Sequence, residues 1–284
     1  MSARFFGEFL VENGALTSAQ LDSALAHQKQ NNVLVGALAV KKGYMTQGQV
    51  DEIVTLQRKL NDKFGQIAIE KKYLTMDQLG TLLGMQAENH LYLGEAIVRM
   101  GLVDAEKTQT HLNAYLRESR KETFRFDLEL KSVPIREIVE VIVEISTTYF
   151  YRLGLMAKVD GLTTTDDVPD GFLGHVLFAE QDVNKTKCTF GLVMGKVLFG
   201  YLIDVLCGGV KALRFEDKHE QLAEMVYYMN YNICEELKKR GYKASYGPAT
   251  SIAPQTPKKT IIKMKTVVSP FYLAYYHSDF PTTG

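Results

Sequence analysis

Glycine recurs with a fixed step of 29 residues at Gly7, Gly36, Gly65 and Gly94, through the first hundred or so positions of this 284-residue chain. Thr17, Thr46, Thr75 and Asp104 keep the same step, as do Gln28, Gln57 and Gln86, a series that lapses at Tyr115. Three unrelated positions holding one spacing without slippage imply a fourfold structural repeat. A chain built this way has one small unit to fold and must then find a way to combine four of them.

Each unit reads as a helical hairpin. In the first, Phe6, Phe9, Leu10 and Leu16 flank Gly14, a residue that tolerates the positive φ of a turn or helix C-terminus. Gly43 stands at the same place in the second. Thr17 with Gln20, Thr46 with Gln49 and Thr75 with Gln78 form capping boxes, and Asp104 caps the fourth unit without the amide. Leu21, Ala24, Leu25 and Gln28 recur as Val50, Ile53, Val54 and Gln57, then as Leu79, Leu82, Leu83 and Gln86. That spacing is one helix face, apolar until its terminal Gln. Since a lone hairpin cannot bury such a face, neighbouring units are expected to stack around a common core.

The segments Phe-Gly-Glu-Phe-Leu-Val-Glu-Asn-Gly and Gln-Leu-Asp-Ser-Ala-Leu-Ala-His-Gln, repeated through about residue 115, resemble the MshEN family, the N-terminal domains of secretion and pilus ATPases. The resemblance implies that tandem motifs bind cyclic di-GMP, with Phe5, Gly7, Gly14, Gln28, Gly36, Gly43, Gln57, Lys63, Gly65, Gln86, Tyr92 and Gly94 as the candidate ligand positions. The family motif opens with Arg immediately before Leu-Gly. Here that position holds Phe5, Leu34, Lys63 and Tyr92, so a guanidinium stack worth on the order of 0.5–2 kcal/mol per contact is missing from every unit. Phe5, Tyr92 and nearby Arg4 offer an alternative stack on a base. The repeats therefore stand as a cyclic dinucleotide sensor or as a protein-docking element.

Composition narrows the rest. With 33 basic and 33 acidic residues the chain has no net field for a nucleic acid polymer, and its 46% hydrophobic content suffices for two ordinary cores. Cys188, Cys207 and Cys234 are odd in number, far apart and in apolar surroundings, which suits core thiols of a cytoplasmic protein better than disulfides or zinc. His27, His90, His111 and His175 show no paired metal spacing, and no metal or other cofactor is expected. No export signal opens the sequence, and no Gly-x-x-x-x-Gly-Lys-Ser/Thr phosphate loop is present, so the ATPase that usually follows such repeats is excluded.

The expected division is an all-α repeat domain over 1–118 and an α/β, sandwich-like domain over 124–284, joined by the charged strip Leu116 to Thr123. Phe124, Phe126, Leu128 and Leu130 alternate with Arg125, Asp127 and Glu129, which predicts a strand. A helix follows from Ser132 and Pro134, burying Ile138, Val141, Ile142 and Ile145 and ending at Gly154. Leu155 to Val159, Phe172 to Phe178 and Lys187 to Leu192 are predicted strands, the last two joined by a turn at Asp182 to Lys185. The apolar stretch from Phe190 to Val210 carries Lys196 and Asp204 and is broken by glycines. It predicts a buried helix over Met194 to Leu206, stopped by Gly208 and Gly209, rather than a membrane span. An amphipathic helix over Asp217 to Arg240, closed by Gly241, precedes a terminal hairpin beyond a loop at Pro254 to Pro257.

This order, together with Glu224 to Leu237, Gly241 and Pro248, is similar to the CheX-like chemotaxis phosphatases. The resemblance implies a response-regulator receiver domain as partner, with a Glu-x-x-Asn pair in which the Glu contacts the receiver's lysine and the Asn aligns water on its aspartyl phosphate. Glu224 matches the Glu, but Tyr227 occupies the Asn position, and Asn230 and Asn232 do not restore the spacing. The chain thus reads as a bacterial signalling protein. Its repeats sense cyclic di-GMP or dock a pilus, secretion or other protein component, and its non-catalytic second domain binds a receiver domain or forms a homodimer. The alternative is an active aspartyl-phosphate phosphatase localised by its repeats.

Overall fold

A computed structural model describes residues 5–133, 135–163, 174–207, 215–250 and 258–277. It contains two compact units, Arg4–Lys121 and Glu122–Gly284, each considered by itself below. Arg4, Pro134, Gly208, Gly209 and the loop at Pro254 to Pro257 lie outside the described residues.

The first unit alternates short and long helices: α1 (Phe6–Glu12), α2 (Ser18–Asn31), α3 (Val35–Lys41), α4 (Gln47–Lys59), α5 (Phe64–Glu70), α6 (Met76–Glu88), α7 (Leu93–Arg99) and α8 (Ala105–Lys131). The caps set the starts of the long helices. The Thr17 hydroxyl accepts from the Gln20 N–H at 3.3 Å while the Gln20 side chain accepts from the Thr17 N–H at 2.8 Å, and Thr46 with Gln49 and Thr75 with Gln78 repeat the exchange. Asp104 accepts from the Lys107 N–H at 2.8 Å.

The turn out of each short helix needs a left-handed residue. Gly14, Gly43 and Gly101 supply it at φ of 69°, 71° and 66°, but in the third unit the residue is Lys72 at 59°. A side chain there carries roughly 1–2 kcal/mol of strain, partly offset by the ~0.4–1 kcal/mol that glycine would lose in unfolded-state freedom. Lys72→Gly is accordingly expected to raise stability by about 0.5 kcal/mol, read as an upward shift in the urea midpoint at unchanged slope. A downward shift would mean that the lysine side chain contributes more than its backbone costs.

The glycines of the 29-residue series hold each short helix against the long helix that follows. A Cβ on Gly7 would lie 2.6 Å from Leu21 Cδ1, on Gly36 2.9 Å from Val50 Cγ1 and on Gly65 2.7 Å from Leu79 Cδ2. At Gly94 the nearest atom, Thr108 Cγ2, would be 3.5 Å away, an ordinary contact.

The units do not stack around one core as the repeat predicts. The second and third share one cluster around Leu38, Ile53, Ile67 and Leu82, whereas the first and fourth share another around Leu10, Leu16, Ala24 and Ile97. Within each pair the exchange is reciprocal: α3 packs on α6 and α4 on α5, while α2 packs on α7 and Phe6 and Phe9 of α1 meet Tyr115 of α8 with ring centroids 5.4 and 5.8 Å apart. Two hairpins bury both apolar stripes this way without a third. The stripe is also narrower than its sequence pattern, because a seven-residue helix covers little width. Ala24, Ile53 and Leu82 are fully buried, but Leu25, Val54 and Leu83 are 41, 40 and 48% exposed.

In the second unit the predicted strand at Phe124 to Leu130 is instead the end of α8, and the charged strip Leu116 to Thr123, read as the end of the last helix running into a linker, is helical throughout. Alternation misled because i and i+4 belong to both a period of two and a helical turn. Phe124 and Leu128 are 63 and 49% exposed, while Phe126 is half-buried and Leu130 is 2% exposed, so the side that faces inward is helical. Arg125 and Glu129 pair across the same turn at 3.5 Å.

Beyond α8 come α9 (Arg136–Arg152), β1 (Ala157–Thr163), β2 (Gly174–Val183), β3 (Thr186–Gly195), α10 (Lys196–Leu206), α11 (Phe215–Lys239), β4 (Ala244–Thr250), β5 (Lys258–Thr266) and β6 (Pro270–His277). The strands form one antiparallel sheet in the order β1-β5-β6-β3-β2-β4. Alternate residues, among them Leu177, Phe190, Leu192, Met264, Phe271 and Leu273, join Ile138, Val141, Ile142 and Ile145 of α9, Leu198 and Leu202 of α10 and Val226, Ile233 and Leu237 of α11 in the main core. Phe150 stacks on Phe271 with centroids 4.3 Å apart. The other set of alternate residues, Val193, Ile261 and Ala274 with Tyr272 and Tyr276, forms a smaller cluster. The layering is helices packed against an antiparallel sheet.

Gly154 and Gly241, at φ of 79° and 93°, follow α9 and α11 as expected. Strand β4 was not legible, because Gly247 and Pro248 interrupt its pattern. The register shift against β2 falls there, on an outer strand where proline is tolerated. In α10 the charged Lys196 and Asp204 are exposed while Leu198, Leu202 and Leu206 are buried, and among the described residues no helix is long and apolar enough to cross a membrane.

Candidate functional site

Two of the repeated glutamines bridge segments far apart in sequence, and the third closes the loop after its own helix. The Gln28 amide donates to the Leu91 carbonyl at 3.0 Å, the Gln86 amide to the Val33 carbonyl at 3.1 Å and the Gln57 amide to the Asp62 carbonyl at 3.3 Å. Asn32 reinforces the first bridge, donating to the Leu91 carbonyl at 3.0 Å and accepting from the Leu91 N–H at 2.7 Å. Each accepting carbonyl immediately precedes a residue at the motif's arginine position, so the fold gathers Gln28 with Tyr92, Gln57 with Lys63 and Gln86 with Leu34. The pairing of first with fourth and of second with third unit makes the Gln28 and Gln86 groupings possible, whereas Gln57 reaches its acceptor across the loop that follows its own helix.

These groupings fix loops. Each glutamine spends an N–H on backbone at the N-terminus of a short helix, where an unpaired carbonyl would be costly. Gly7, Gly36 and Gly65 are closed over by leucine and valine side chains, and Gly14 and Gly43 serve turns. Gly94 lies beside Thr108, with Phe6 just beyond it. Phe5 is buried, whereas Leu34, Lys63 and Tyr92 are exposed. His90 meets the Tyr92 ring edge-on at 4.6 Å.

The second candidate lies along α11. Its outward positions run Glu220, Glu224, Tyr227, Tyr231 and Glu235 at helical spacing, with both Glu220 and Glu224 exposed. Tyr246 of β4 fits between the two tyrosines, its ring 5.7 Å from Tyr227 and 5.1 Å from Tyr231, both edge-to-face, and Tyr228 meets Tyr227 at 5.3 Å. Partial burial, then the neighbouring Tyr227 phenol, pushes the Tyr246 hydroxyl above its usual range. Rings at these separations prefer this geometry, which leaves a half-buried aromatic surface with phenol oxygens at its margin.

The two asparagines nearest the expected catalytic spacing face the other way. Asn230 is fully buried, its carbonyl accepting from Gln181 and its amide donating to the Glu180 carbonyl at 2.9 Å. The Asn232 amide donates to the Tyr149 hydroxyl and the Tyr228 carbonyl, each at 2.8 Å, and burial pushes the Tyr149 phenol up. Of the residues on this helix, Asn230 was the one that patterning could have placed inside, since it follows Val226 by four and precedes Ile233 by three on the apolar stripe. The role of Tyr246 had no sequence signal, because it depends on which strand lies beside α11.

Cys188 and Cys234 are buried, and burial pushes their thiols up to about 11 and about 12. They are poor nucleophiles in that state. Among the described residues no group of three His, Cys, Asp or Glu side chains is placed to hold a metal ion.

No family model matches the chain, and no curated protein matches it. Solved structures similar to its C-terminal half include the chemotaxis protein CheX of Desulfovibrio desulfuricans, 11% identical with a TM-score of 0.42, covering 50% of this chain and 99% of that one. A CheC-like superfamily protein of a Shewanella species is 12% identical with a TM-score of 0.43, covering 50% and 97%. CheX of Borrelia burgdorferi, solved in complex with CheY, BeF3 and magnesium, is 8% identical with a TM-score of 0.41, covering 50% and 98%.

Proposed function

We propose that this chain is a signalling adaptor whose second unit binds a response-regulator receiver domain along α11 without removing its phosphate, and whose repeats contact protein. The observation that carries the reading is the tyrosine cluster of Tyr227, Tyr231 and Tyr246, standing where the CheX-like resemblance implies a water-aligning amide. A phenol supplies one oxygen on a rigid ring, whereas Asn presents a donor and an acceptor on a short arm. Both nearby asparagines are committed to buried hydrogen bonds. A half-buried aromatic surface flanked by the carboxylates of Glu224 and Glu235 instead suits an interface anchor.

The test is a phosphorylated CheY-type receiver mixed with the full chain. Its phosphate lifetime is expected to be unchanged, while Tyr231→Ala weakens binding by about tenfold or more. Acceleration of phosphate loss that Glu224→Ala abolishes would establish the phosphatase reading instead. For the repeats, calorimetric titration with cyclic di-GMP is expected to give no binding heat. Micromolar binding lost on Tyr92→Ala would make them a nucleotide sensor.

A further inference from the structure

The helix-covered face of the sheet carries a polar layer at one level. Tyr246 of β4 stands opposite Gln181 of β2, Gln181 opposite Cys188 of β3 and Cys188 opposite His277 of β6, so these side chains form a row across the strands. Gln181, Cys188 and His277 are buried. Tyr275 lies two residues before His277 on the same face, its ring 6.0 Å from the imidazole, and is the diagonal neighbour of Cys188. Above the row α11 contributes Asn230 and, one turn later, Cys234, whose thiol donates to the Ser245 carbonyl at 3.4 Å. Two atoms of this layer are left over. Because the Asn230 amide nitrogen donates to the Glu180 carbonyl, its oxygen is the atom that accepts from Gln181, which fixes the Gln181 nitrogen toward α11. Gln181 Oε1 and the Tyr275 hydroxyl, both fully enclosed, have no hydrogen-bond partner among the described residues. Burial holds the Tyr275 phenol well above its usual range, so it keeps its proton and can donate.

We infer that this layer is a binding site for a buried water molecule, seated over Cys188 between Gln181 and Tyr275. The water donates one proton to Gln181 Oε1, accepts from the Tyr275 hydroxyl and turns its second proton to the Cys188 sulfur, which supplies the two to four polar partners that an internal water needs. Room for it comes from the side chain in the middle. Cys188 is short beside Phe190 and Leu192, which follow it on the core face of β3, and its own thiol is spent on the Thr186 carbonyl at 3.4 Å. The water completes a chain from Tyr275 through Gln181 and Asn230 to the Glu180 carbonyl, joining β6 to α11 across two strands. Asn230 lies on the inner side of the turn whose outer side carries Tyr227 and Tyr231, so the water belongs to the support of that aromatic face.

The experiment compares the full chain with its Tyr275→Phe variant, which keeps the ring and removes only the hydroxyl, by magnetic relaxation dispersion of water, whose amplitude counts the waters held inside a protein for longer than it takes to tumble. The amplitude is expected to fall by one water in Tyr275→Phe and to stay unchanged in Tyr276→Phe, whose half-buried ring lies on the other face of the sheet. A crystal structure of the full chain supplies the second reading, with a water expected within about 3 Å of both Gln181 Oε1 and the Tyr275 hydroxyl. The proposal is overturned if removing the Tyr275 hydroxyl leaves the amplitude as it was, if the two tyrosine variants lower it equally, or if the density shows those two atoms bonded to each other or to other protein groups instead.

Discussion

Asn230→Ala is expected to lower the unfolding free energy by about 2–4 kcal/mol, the range for removing one member of a buried polar network and stranding the others. Asn230 bridges α11 to the Glu180 carbonyl and the Gln181 side chain of β2, so its loss takes a hydrogen-bond partner from each of them. Glu224→Ala, on the exposed side of the same helix, should change stability by no more than about 0.5 kcal/mol. Urea unfolding of both variants decides the matter. Equal effects would place Asn230 near the surface and reopen a catalytic role for it, whereas a large drop for Asn230 alone assigns it to the scaffold.

Gly65→Val should destabilise the repeat unit by about 2–3 kcal/mol, because the added carbons occupy the space of both Leu79 methyl groups and the short helix must lift away. Gly94→Ala supplies the contrast within the same series. Its Cβ would find only an ordinary contact with Thr108, and alanine's helix propensity offsets the rest, so the expected change is zero to about 1 kcal/mol of stabilisation. Thermal or urea unfolding of the full chain, followed by helix content, separates the two. If both substitutions were harmless to folding, the 29-residue glycines would not be packing contacts, and close approach by a ligand would become the better reason for them.

Much of the fold was legible because its signals are local. The capping boxes at Thr17, Thr46 and Thr75, the turn glycines at Gly14 and Gly43, the buried face of α9 and the amphipathic α11 each depend on residues within a few positions of one another. The candidate sites were legible only in part. Patterning identified Gln28, Gln57 and Gln86 as a repeated feature but not their acceptors, two of which lie 63 and 53 residues away in sequence. The error at Phe124 to Leu130 was of a different kind: its seven residues satisfy two periods at once, and only burial distinguishes them.

What the sequence determined alone is the unit and its hydrogen-bond punctuation, since a hydroxyl three residues before an amide makes the same cap wherever the helix packs. Tertiary structure decided which units pair, because four hairpins with nearly identical stripes are equivalent partners until the particular side chains at Leu10, Ala24 and Ile97, or at Ile53, Ile67 and Leu82, select among them. It likewise decided that Asn230 faces inward while Tyr227 faces outward beside Tyr246, and that Gln181 and Tyr275 flank Cys188. Those relations join segments distant along the chain, and their free energy exists only once the segments have met.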